Sequence, residues 1–138
     1  MNLERFIFAQ KEDYKTALNE IKAGRKRSHW MWYIFPQIHG LGYSAISQRY
    51  AIQSVKEAKA YMKNDVLREH LLEISEALLA LDTSDATAVM GFPDDLKLRS
   101  CMTLFAQVTP EYEVFQRVLD KFYGGVKDPK TLEILQRK

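Results

Sequence analysis

The chain has 138 residues, 46% of them hydrophobic, 28% charged and 12% aromatic, and twenty Lys and Arg against eighteen Asp and Glu leave a formal charge of +2. This balance is that of a globular chain and excludes collagen-like repeats, low-complexity disorder and, with Cys101 alone, a disulfide scaffold. The length suits one domain, residues 1–138, burying roughly 68–70% of its unfolded surface and needing no metal or disulfide to hold its core.

Helical periodicity dominates the chain from the start. Asp13 opens a segment in which Tyr14, Ala17, Leu18 and Ile21 recur at helical spacing, and Gly24 marks its end. Residues 30–35, all large and apolar, form the longest apolar run before Pro36. Six residues are too few to separate a strand from a buried helix, and far too few to cross a bilayer. Ser44 can cap a helix running to Tyr50, and Ser54 with Glu57 has the spacing of a capping box. Asp65 opens the clearest helix, with Leu67, Leu71, Ile74, Leu78 and Leu81 descending one face and His70 on the polar side.

Asp85 and Gly91 bound a short helix, and Pro93-Asp94-Asp95 starts another that continues through Leu98, Cys101, Met102 and Phe105. Thr109-Pro110-Glu111 supplies a cap oxygen, a pre-set φ and an acid for one more start. Its apolar stripe is Phe115, Val118, Leu119 and Phe122, stopped by Gly124-Gly125. Asp128-Pro129 repeats the start for a last helix ending near Arg137. No segment alternates with period two. The expected fold is all-α, a single compact domain of about seven or eight short helices.

Chemistry concentrates in residues 24–50. Arg25, Lys26 and Arg27 stand before Ser28 and His29, six of the sixteen aromatics fall in residues 30–50, and Gly40 and Gly42 lead into Ser44. Cations suit anions, flat faces suit stacking, and glycine backbone with helix-start amides allows close approach. The expected ligand is an anionic, nucleotide-like small molecule in a polar-aromatic pocket. Arg25, Lys26, Ser28, Gln37 and the amides of residues 40–44 would hold its charge, with Trp30 or Trp32 stacked on it. His29, whose unperturbed pKa lies near neutrality, and Asp95 are the candidate proton carriers for hydrolysis or group transfer. Lys97 keeps a polar site open on the outer face of its helix.

The plainer alternatives are a solvated basic loop, aromatics spent on the core, and Asp94 and Asp95 spent on capping. A protein-interaction module without a small-molecule site is the competing function. The stretch from Gly40 to Ala45 matches a relaxed dinucleotide fingerprint, but Pro36 and the helical pattern downstream oppose the βαβ unit it needs. His29, His39 and His70 lack metal-site spacing, so neither a metal nor a cofactor is expected. Cys101 shares a face with Leu98 and Phe105, where a thiol is a small hydrophobe.

Residues 1–63 carry eleven Lys and Arg against five Asp and Glu, and residues 64–138 nine against thirteen, so +6 faces −4. That asymmetry permits an anionic ligand but falls short of the dense basic face of a nucleic-acid binder. No run is long enough for a membrane span, Met1-Asn2-Leu3-Glu4-Arg5 lacks a signal pattern, and the lone cysteine suits a reducing compartment. A cytoplasmic, unprocessed chain is expected, with its oligomeric state left open.

Several blocks together carry a family resemblance. They are Arg5-Phe6, Gly24-Arg25-Lys26, Ser28-His29-Trp30-Met31-Trp32, Phe35-Pro36-Gln37, Gly40-Leu41-Gly42, Asp94-Asp95-Leu96-Lys97-Leu98 and Met102-Thr103-Leu104-Phe105. The chain resembles the domain of unknown function 1810 family over nearly its whole length. The label "calpastatin-like" sometimes attached to that family finds no support in these residues. The resemblance implies a single all-α domain and brings no established activity, cofactor or catalytic residue. Cys101 stands where it implies serine.

Overall fold

The computed structural model describes residues 2–137; Met1 and Lys138, the ends of the expected domain, lie outside the described residues. The described residues form nine helices and no strand, which bears out the all-α expectation. The first four are α1 (Glu4–Lys22), the single-turn α2 (Met31–Ile34), α3 (Ala45–Tyr50) and α4 (Val55–Lys63). After these come α5 (Asp65–Leu79), α6 (Ala86–Met90), α7 (Asp94–Val108), α8 (Val114–Tyr123) and α9 (Pro129–Arg137). None of them is long and apolar enough to cross a membrane.

Aromatic rings join the helices at the centre. Phe6 of α1 meets Tyr61 of α4 edge-on at 5.2 Å, Tyr61 meets Phe105 of α7 at 5.4 Å, and Phe105 meets Phe115 of α8 at 5.7 Å between centroids. All four are fully buried. Removing each such side chain from water contributes on the order of 1.5–3 kcal/mol.

Helix α1 begins at Glu4, well before the Asp13 start that apolar spacing suggests. Its buried stripe is Phe6, Gln10, Tyr14, Ala17 and Ile21, and the polar member hides the pattern. Gln10 is buried because every atom of its amide is used. Its Nε2 donates to the Tyr33 carbonyl at 2.8 Å and to the Tyr61 hydroxyl at 2.9 Å, while its Oε1 lies 2.8 Å from His70 Nδ1. A carboxamide oxygen only accepts, so His70 carries its proton on Nδ1. His70 is not on the polar side of α5: it stacks on Tyr14 at 3.7 Å, and burial lowers its pKa, with Glu73 opposing.

Helix α8 begins at Val114, not at Thr109. The Thr109 hydroxyl instead donates back to the Phe105 carbonyl at 2.9 Å and closes α7, and the Tyr112 amide bonds Thr109 O at 3.1 Å in a turn. The stripe Phe115, Val118, Leu119 and Phe122 is buried as its spacing requires. The capping box at α4 is half made. Ser54 Oγ accepts from the Glu57 amide at 3.0 Å, but the Glu57 carboxylate takes the Gln53 amide at 3.0 Å and Arg5 at 2.6 Å, tying α4 to α1.

Buried Asp128 caps α9, accepting from the Thr131 amide at 3.1 Å and hydroxyl at 2.5 Å, and from Ser100 of α7 at 3.0 Å. These bonds lock the last helix to α7. The aromatic run is mostly core: Trp30, Met31, Tyr33, Ile34 and Phe35 are buried, and Trp32 alone in it is part-exposed. The run is therefore no exposed apolar interface.

Candidate functional site

The basic loop is built around an internal anion. Gly24, at φ +81°, ends α1 and turns the chain back towards Glu20. The Glu20 carboxylate accepts from the amides of Arg27 (2.8 Å) and Ser28 (2.9 Å), the Ser28 hydroxyl (2.6 Å) and the Trp30 indole (2.9 Å). Partial burial opposes its charge, but the Ser28 hydroxyl, the two amides and the indole outweigh that and hold its pKa down at about 2. Ser28 and Trp30 therefore spend their donors on Glu20.

Lys26 links this loop to α7. Its side chain is only 7% exposed, lies 4.9 Å over the Trp30 ring, and pairs with Asp94 at 2.9 Å and with the Ser28 carbonyl at 2.5 Å. Asp94 also reaches Lys97 at 3.6 Å, and Lys97 sits 5.4 Å over Trp32. Trp30, Lys26, Asp94, Lys97 and Trp32 thus form one ladder of rings and alternating charges. It joins the two polar blocks that sequence separates.

Lys97 and Trp32 open onto a cleft of about 110 Å³. One parallel bridge fixes its floor: the His39 amide bonds Ile52 O and the Ile52 amide bonds Gln37 O, each at 2.8 Å. Gln37 lines the cleft, and among the described residues its side-chain amide has no partner. Residues 40–42 form one lip, and Ser47 and Tyr50 of α3 the other.

Both glycines of the lip are required. Gly40 adopts φ +109°, and a Cβ there would sit 3.3 Å from Ile134 Cδ1 of α9. At Gly42 a Cβ would fall 2.7 Å from Ser47 Cβ, which cannot yield without moving α3. Gly42→Ala is expected to cost about 1–3 kcal/mol through overpacking. Denaturant titration measures the loss; a change under 0.5 kcal/mol would show that the lip yields freely.

The structure brings Trp32, Gln37, Gly40, Gly42 and Lys97 together around the cleft. Lys26 stands one rung away, and Ser44 accepts from the Ser47 amide at 3.2 Å as the cap of α3. Arg25 and His29 are exposed, and neither lines the cleft. Asp95 faces elsewhere, accepting from Thr87 Oγ1 at 2.6 Å beside a hollow that Tyr123 also lines. Asp94 and Asp95 therefore serve different partners and do not form an acid pair. Cys101 is fully buried, and burial raises its thiol pKa well above the ordinary value. Among the described residues no group of three His, Cys, Asp or Glu could hold a metal ion.

Sequence reasoning missed Ser47 and Tyr50, although both fall within the segment singled out; Ser47 lies one turn after its cap residue. It also missed Glu20, whose signal is an acid one turn before a glycine stop and three cations.

Fold and site together define a small all-helical protein with a narrow aromatic and lysine-lined cleft. The chain belongs to the family described as protein of unknown function DUF1810, whose model matches residues 1–135. It is similar to the conserved hypothetical protein Rv1873 from Mycobacterium tuberculosis, known from a crystal structure. The identity is 43% and the TM-score 0.95, over 97% of this chain and 96% of that one. Among curated proteins nothing matches the chain.

Proposed function

We propose that the cleft binds the anionic end of a small molecule, with Trp32 covering a flat or apolar part of the same ligand. The observation that carries this reading is Lys97 poised over Trp32 at the cleft, its charge only partly met because Asp94 also serves Lys26. Two ammonium groups share one carboxylate, leaving one positive charge beside an unpartnered Gln37 amide. The cleft has a volume of about 110 Å³. It is well below the roughly 300–1,000 Å³ of pockets that enclose a drug-sized ligand. A phosphate or carboxylate fits; a whole nucleotide does not, so a base would lie outside against Trp32. His29 and Asp95 stand away from the cleft, which favours binding over proton transfer.

Inorganic phosphate, pyrophosphate, a nucleoside monophosphate and acetate are the probes, read by thermal shift and by Trp fluorescence. At least one is expected to raise the melting temperature of the wild type. Lys97→Gln is expected to weaken that ligand by about tenfold to a hundredfold, the loss of one hydrogen bond to a charged group. Stabilisation by none of them, or equal stabilisation of Lys97→Gln, rejects the reading.

A further inference from the structure

A second, larger groove of about 540 Å³ runs where α4, the end of α7 and α9 meet. Its apolar wall is Val55, Val108, Leu132 and Leu135, four aliphatic side chains left half-buried. Lys59 and Lys127 stand at its rim with the neutral amides of Gln107 and Gln136, and no carboxylate lines it. Among the described residues Lys59 has no ion-pair partner, and Lys127 is bonded to the Gln107 amide oxygen at 2.6 Å. Each cation lacks a counter-charge, beside an aliphatic surface that water solvates poorly. The volume lies in the range of pockets that hold small organic ligands.

We propose that this groove binds a free amphipathic carboxylate, an unbranched apolar chain with an anionic head. The chain lies along the four aliphatic residues, and the head meets Lys59 or Lys127. Apolar contact alone would accept an alcohol of equal length, and charge alone would accept acetate. The pairing of an aliphatic wall with uncompensated lysines selects a molecule that has both. This site is separate from the cleft at Trp32 and does not depend on that reading.

Hexanoate, octanoate and decanoate are titrated into the full chain, with octanol and acetate as controls, while NMR follows the methyls of Val55, Val108, Leu132 and Leu135. Octanoate is expected to shift these methyls, and each added methylene to tighten binding about fourfold until the groove is full. Octanol and acetate are expected to bind at least about tenfold more weakly, the loss of a charge-assisted contact or of the apolar chain. Lys59→Glu with Lys127→Glu, its fold checked by an unchanged helical circular dichroism, is expected to abolish octanoate binding. Leu132→Asp is expected to do the same from the apolar side.

The proposal is overturned if octanol binds as tightly as octanoate, if the four methyls do not move, or if the double lysine variant binds unchanged. It is equally overturned if the protein sediments with phosphatidylglycerol vesicles, or binds an acidic amphipathic peptide, yet ignores octanoate.

Discussion

Glu20→Ala is expected to lower the melting temperature at neutral pH by about 10 °C, a loss of about 2–4 kcal/mol in a domain of this size. One carboxylate collects four donors from three residues, Arg27, Ser28 and Trp30. Each hydrogen bond to a charged acceptor is worth roughly 1.5–3 kcal/mol net when well buried; Glu20 is partly open to solvent, so the sum is discounted to that range. The Trp30 indole, 1% exposed, is the costliest group to strand.

The pH dependence has a definite sign. The folded pKa of about 2 lies below the ordinary 4.5, so Glu20 stabilises the fold fully above 4.5 and progressively less as pH falls towards 2. The gap in melting temperature between wild type and Glu20→Ala should therefore close across that interval. Thermal melts at pH 7 and pH 3 measure both values. A gap equally wide at both, or below about 2 °C at pH 7, would remove Glu20 from the account of the loop.

Gln10→Leu is expected to cost more, about 3–5 kcal/mol, although leucine nearly preserves the volume. The change strands two buried groups, the Tyr33 carbonyl and the Tyr61 hydroxyl, together with the part-buried His70 Nδ1. Tyr61 is fully buried, and burial raises its phenol pKa, so it stays a neutral hydroxyl that needs a partner. Tyr61→Phe alone should cost about 1 kcal/mol, and the double variant less than the sum, because the orphaned hydroxyl is gone. Urea denaturation with an unchanged slope reads each value. Strict additivity would show that the Gln10–Tyr61 bond contributes nothing.

Helices whose buried face is almost wholly apolar were legible. The stripe of α8 lies where spacing puts it, as do Leu67, Leu71, Ile74 and Leu78 of α5, whereas Leu81 falls beyond the end of α5 and is half-buried. The caps at Ser44, Ser54, Asp85 and Asp128, whose hydrogen bonds span three residues, were legible too. Gln10 broke the pattern of α1 because only distant partners, on α2, α4 and α5, make a buried amide affordable. Thr109-Pro110 has the local chemistry of a start, yet the hydroxyl turns back to close α7, a choice set by where α8 packs. At the cleft, Trp32, Gln37, Gly40, Gly42 and Lys97 were legible as residue types able to meet an anion. The Lys97–Trp32 stacking was not, since it depends on how α7 docks against the segment before it. The divergence of Asp94 from Asp95 follows from helix geometry, which turns adjacent residues to different sides.

Ile134 of α9 packs against Gly40, so the last helix backs a lip of the cleft that is built from residues 40–42. This sets an order of assembly. During synthesis Trp32 and residues 40–42 emerge early, and Lys97 joins them later. Their lip gains its support only when α9 has been made and docked through Asp128. A chain that stops before α9 can hold most of the helices and still lack the Ile134 contact beneath Gly40.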